Sequence, residues 1–155
     1  MNVTKENLLP WIGLVARLVL GGVLFAAGAI KIPYPYKAAA AMRAYELLPN
    51  SFASFFGYIL PWFEVGLGLL LILGVATRIS GLIGALLMLL FIGAISSAWA
   101  RGLTIDCGCF GGGGQVAAGE TKYLQEIIRD IALAVAGFYL YFQPNSRFAL
   151  DNRGK

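Results

Sequence analysis

Three stretches of this chain run for more than twenty residues with at most one charge each. Leu8 to Ile30 is interrupted only by Arg17, about Phe55 to Ala76 only by Glu64, and Ile79 to Ala100 by none. Spanning the roughly 30 Å hydrocarbon core of a bilayer takes about 20 apolar residues in a helix. Backbone polar groups find no partners in lipid except one another, so such segments are helices. Composition agrees: 59% of the residues are hydrophobic and 13% charged, and mean hydropathy is +0.75. A soluble domain carries about 25% charged residues.

The same reasoning finds a fourth span from about Thr121 to Phe142. Its first turns carry Glu126, Arg129 and Asp130, and only Ile131 to Phe142 is free of charge. A cleaved signal peptide at the N-terminus is the competing reading, but the first run is too long for a signal-peptide core and has Arg17 inside it. Pro33-Tyr34-Pro35 breaks the first helix, and residues 36–48 read as a short amphipathic helix lying in the interface. We expect one all-α membrane domain over residues 1–155. It is a polytopic bundle of four transmembrane helices at about 8–31, 55–76, 79–100 and 121–142, with the interfacial helix at about 36–48. A loop fills residues 102–119, and the polar tail from Asn145 frays.

The net charge of +4 comes from Lys and Arg scattered near span ends, which anchors helices at the interface. It forms no patch for nucleic acid. Placing both termini on one side puts five basic residues on each side. The tight Arg78 turn and the basic tail favour cytoplasmic termini and a loop 102–119 outside the cytoplasm. Trp11, Trp62 and Trp99 fall near span ends as an aromatic belt. With no histidine in the chain, His-ligated haem is not expected.

Chemistry concentrates in Asp106-Cys107-Gly108-Cys109-Phe110, followed by Gly111 to Gly114. One intervening residue allows Cys107 and Cys109 to pair only in a tight, strained ring, which Gly108 eases. Such a disulfide is easily reduced and suits exchange. Asp106 disfavours a thiolate there and Arg101 favours one. Two thiolates also suit Cu(I) or another thiophilic ion, and an inert local bridge is the third reading. No metal site is expected beyond that alternative use of Cys107 and Cys109. Phe110 could pack on a quinone ring, on a partner or as a loop plug.

A second constellation is the charge inside the spans: Arg17, Glu64, Arg129 and Asp130. Such charges face a bundle interior and pair. Arg17, Gly21, Phe25, Gly28 and Lys31 share one helix face, and Gly21 and Gly28 admit a close neighbour. The expected pair is Arg17–Glu64 or Arg129–Glu64, either as a structural lock or as a polar pocket for a quinone headgroup, a proton or an anion.

The chain resembles the DoxX/MauE-like family of small membrane proteins. The resemblance rests on Arg17-Leu18 with Gly21, Phe25, Gly28 and Lys31. It continues through Leu60-Pro61-Trp62-Phe63-Glu64 with Gly66, Gly68, Leu71 and Gly74, and through Cys107-Gly108-Cys109-Phe110-Gly111. The cysteine motif makes the MauE branch the most similar. That resemblance implies a thioredoxin-like periplasmic partner and disulfide handling during methylamine dehydrogenase maturation. Other relatives imply quinone reduction. The reading is a membrane thiol–disulfide redox component in which Cys107 and Cys109 exchange electrons with a thioredoxin-fold extracytoplasmic partner, possible cofactor a quinone. Its rivals are a thiophilic-metal module and a non-catalytic subunit that scaffolds a redox enzyme.

Overall fold

A computed structural model describes residues 2–106, 114–115 and 122–154. The chain is helical, in the order α1 (Asn2–Lys31), α2 (Pro35–Ala44), α3 (Asn50–Leu73), α4 (Thr77–Ala100) and α5 (Tyr123–Phe142). Two short strands, β1 (Ile105–Asp106) and β2 (Gly114–Gln115), pair between α4 and α5, and a 3₁₀ turn spans Leu150–Gly154.

Three helices are long and apolar enough to cross a membrane: Lys5–Lys31 within α1, then α3 and α4. This makes the chain a multi-pass membrane protein. The expected fourth span is not among them. Helix α5 is 20 residues long, but every stretch of spanning length within it contains Glu126, Arg129 and Asp130. It nevertheless packs along α4 as the fourth long helix of the bundle.

The bundle is built from two tight pairs, α1 with α3 and α4 with α5, joined chiefly where α1 meets α5. Small residues explain both pairs. A Cβ added at Gly28 would lie 2.4 Å from the Pro61 carbonyl oxygen, and one at Gly21 would lie 2.9 Å from that of Gly68. Across the second seam, a Cβ at Gly137 would lie 2.6 Å from the Gly81 carbonyl oxygen. Lipid supplies little hydrophobic drive between helices, so such backbone approach is what holds them. Gly28→Ala is therefore expected to destabilise the protein by about 1–3 kcal/mol. Gly22, whose Cβ would meet nothing within 4 Å, should accept alanine within about 0.5 kcal/mol. Thermal unfolding in detergent checks the pair, and equal losses would contradict a glycine seam.

Element ends differ from the expectation in instructive ways. Pro35 opens α2, where its fixed φ and missing donor suit a first turn. Helix α3 begins at Asn50, five residues earlier than expected. Pro61 therefore lies inside the helix rather than near its start, and Trp62 is mid-helix and 65% exposed rather than at an interface. The tail is not frayed. The Arg147 N–H donates to the Pro10 carbonyl at 3.2 Å and the Asp151 N–H to the Gly74 carbonyl at 3.0 Å. Arg147 also stacks on Trp11, whose ring meets Phe148 edge-on. The tail thus lies beside the first third of α1 at one end of the bundle, and the strand pair lies at the other.

Candidate functional site

At the strand end, three helices converge beneath β1. Tyr45, Ile95, Ala98, Ile105 and Tyr123 form a buried apolar cluster drawn from the end of α2, the last turns of α4, β1 and the start of α5. Polar bonds tie its edges. The Tyr123 hydroxyl accepts from the Ile105 N–H at 3.1 Å and donates to the Leu103 carbonyl. The Arg101 guanidinium donates to the Tyr45 carbonyl and to the Ser97 carbonyl and hydroxyl, strapping α2 to the end of α4. These are its partners among the described residues; the cysteine thiols, whose thiolate form Arg101 is expected to favour, lie outside them. Arg43 donates to the Ser54 hydroxyl at 2.7 Å and fixes α2 on α3.

Above this platform β1 and β2 run antiparallel, with Ile105 opposite Gln115 and Asp106 opposite Gly114. Strand β2 lies against α2. Asp106 and Gly114, which flank segment 107–113, are therefore held together on a braced base. Cys107, Cys109 and Phe110 lie outside the described residues, and Asp106 is placed by its backbone alone. The expected open loop over 102–119 gains a hairpin base that sequence reasoning missed. Two-residue strands within a glycine-rich stretch leave no alternation to detect.

Deeper in the bundle the charges sort into three groups. Glu64 is 1% exposed and pairs with Lys31, whose ammonium donates to both carboxylate oxygens at 2.8 and 3.0 Å. This corrects the expected Arg17–Glu64 or Arg129–Glu64 pair. The seam explains why. Gly28 faces Pro61 and Val65, and Gly21 faces Gly68 and Leu71, so in the same register Arg17 falls beside Gly74. Gly74 is ten residues beyond Glu64 along α3, about 15 Å away along the axis. Lys31 lies one turn past Gly28, and helical side chains tilt toward their own N-terminus. That tilt carries its ammonium back to Glu64.

Arg129 donates from Nε and Nη2 to Asp130 Oδ1 at 3.0 and 2.8 Å. Asp130 is 1% exposed, and its Oδ2 has no hydrogen-bond partner among the described residues. Glu64, Arg129 and Asp130 line one crevice, walled also by Leu24, Met88 and Phe91. The sequence singled out these three polar residues, and the structure brings them together without Arg17. The crevice has interior room for about one water.

Arg17 is in the third group, at the tail end. It is 1% exposed and donates to the Ser146 hydroxyl at 3.0 Å and the Arg147 carbonyl at 3.2 Å. Among the described residues no cluster of three or more His, Cys, Asp or Glu could hold a metal.

The family model described as methylamine utilisation protein MauE matches residues 9–143. The chain is similar to the methylamine utilization protein MauE of Methylophilus methylotrophus, 33% identical over 101 residues, which covers 64% of this chain and 53% of that protein. It is also similar to the MauE of Methylorubrum extorquens, 41% identical over 73 residues, covering 46% and 39%. The chain thus spans about half or less of the curated relatives it matches. No solved structure matches it.

Proposed function

The chain belongs to the MauE family, and on that premise we propose that it is a membrane thiol–disulfide exchange component working through Cys107 and Cys109. One cysteine thiolate attacks the disulfide of a thioredoxin-fold partner, forming a mixed disulfide and releasing one partner thiolate. The second cysteine then attacks the mixed disulfide. The pair is left as Cys107–Cys109 disulfide and the partner as a dithiol, with two electrons and two protons passed to the partner. The reverse sequence oxidises the partner.

The observation that carries this reading is the hairpin base. Pairing Asp106 with Gly114 brings the two ends of the cysteine segment together, and Tyr123 and Arg101 brace the structure below it. Exchange requires an attacking thiol that a partner can reach, and the strand pair puts the residues flanking the cysteine segment at the end of the bundle. In this proposal a quinone is the membrane carrier that takes up or supplies the two electrons of the pair, and the polar crevice lined by Glu64, Arg129 and Asp130 is the place for its headgroup. In this proposal α5 crosses the bilayer as well, its charged head shielded against Glu64. Both termini then lie in the cytoplasm and the hairpin outside it.

Trapping tests the proposal. Removing the resolving cysteine stalls exchange at the mixed disulfide. Cys107→Ala or Cys109→Ala should therefore accumulate a reducible adduct with a thioredoxin-fold protein on non-reducing gels. If neither variant forms one, exchange is excluded.

A further inference from the structure

Helix α4 begins without a cap of its own. Its N-cap position is Ala76, in the left-handed region at φ 47°, and no side chain nearby in sequence caps it. Helices normally meet this need with a local Ser, Thr, Asp or Asn. Here the anion comes from the other end of the chain: Asp151 Oδ1 accepts from the Ala76 N–H at 2.8 Å and Oδ2 from the Thr77 N–H at 2.7 Å. The start of α4 is thus a seat for an oxyanion, occupied by a tethered carboxylate.

The carboxylate fits this seat incompletely. Arg17 lies under the same tail, packed against Gly74, and Asp151 acts on it electrostatically. Yet Arg17 Nε has no hydrogen-bond partner among the described residues, and neither has Thr77 Oγ1, which is fully buried. Two donors are left over after both Asp151 oxygens have been engaged. An unpaired buried donor is disfavoured, and a buried guanidinium more so. A tetrahedral phosphate brings more acceptor oxygens than a carboxylate and could take the two N–H groups, Thr77 Oγ1 and Arg17 Nε together.

We propose that the α3–α4 turn is a phosphate-binding site, formed by the Ala76 and Thr77 N–H groups, the Thr77 hydroxyl and Arg17, in which Asp151 sits as an exchangeable internal plug. Arg78 and Arg147, stacked on Tyr141 and Trp11, add positive charge around the seat. A tethered group competes at an effective concentration of about millimolar. A phosphate must therefore be locally abundant to displace it. Lipid headgroups at the membrane surface meet that condition, and free phosphate is the other source of the same chemistry.

The test uses the full chain in phosphatidylcholine nanodiscs, with either phosphatidic acid added to the bilayer or inorganic phosphate added to the buffer. Bound phosphate is read by native mass spectrometry and by phosphorus NMR. Asp151→Asn removes the competing charge and should raise apparent phosphate affinity by about tenfold or more. Adding Thr77→Val to that variant should reverse the gain by roughly fivefold, the loss of one hydrogen bond. A gain with phosphatidic acid alone assigns the site to lipid, and a gain in both arms extends it to free phosphate. If Asp151→Asn does not fold, Asp151→Ser keeps a neutral acceptor for the helix start and carries the same expectation. No gain in either arm overturns the proposal, as does a gain that Thr77→Val leaves intact.

Discussion

Lys31→Met should destabilise the protein by about 3–5 kcal/mol, Glu64→Leu by about 1–3 kcal/mol, and the two together by less than either alone. The ion pair joins α1 to α3 with both partners out of solvent and both carboxylate oxygens engaged. Removing one partner strands the other charge, whereas replacing the pair with apolar groups strands none. The two single variants are unequal because the stranded groups differ. Lys31 is the last residue of α1, and its flexible stem can carry a freed ammonium out toward the interface. Glu64 is the fifteenth residue of α3, about 21 Å along the helix from its start, and has no such route. Denaturation of the four proteins in one detergent gives the coupling energy. Additive single losses would show that the pair is not a lock.

Tyr123→Phe is expected to release the hairpin. The ring would stay packed against Trp99, 6.0 Å away between centroids, and within the Ile95–Ala98–Ile105 cluster. What goes is one hydroxyl that serves two backbone groups, the Ile105 N–H and the Leu103 carbonyl. Each buried group left unpaired costs about 1–3 kcal/mol, so the local loss for the two is about 2–6 kcal/mol, enough to detach β1 from its base. Hydrogen exchange should show Ile105 and Asp106 losing protection while α1 and α3 keep theirs. The yield of mixed disulfide from the trapping variants should fall in step. Unchanged protection at Ile105 would mean that the hairpin does not depend on Tyr123.

The long helices were legible because lipid imposes a rule that hydropathy alone expresses: about twenty apolar residues, whatever their order. Their boundaries were less so. Asn50 to Ser54 reads as polar, yet it is the first turn of α3, and that shift moves Pro61 and Trp62 to mid-helix. The charged site was half legible. Arg17, Glu64, Arg129 and Asp130 stood out as charges in apolar runs, and all four are partly or fully buried. Lys31 was visible on the face of Arg17 and Gly28, but its position at a helix end resembled an anchor. Only the register set by Gly28 against Pro61 shows that it reaches inward to Glu64. Asp151 was hidden for a different reason. It caps a helix that begins more than seventy residues earlier in the chain, and local sequence rules look for a cap within a few residues. The hairpin base escaped because two-residue strands carry no period.

Cysteine labelling in intact cells tests the central claim most directly. A membrane-impermeant maleimide is applied to whole cells before and after a pulse of an impermeant reductant, and the modified residues are mapped by mass spectrometry. The account predicts that Cys107 and Cys109 are reached without opening the membrane, and that the reductant increases the labelled fraction of both together. Labelling that appears only after permeabilisation would place the hairpin on the wrong side for an extracytoplasmic partner. A labelled fraction that no reductant or oxidant changes would contradict a cycling pair.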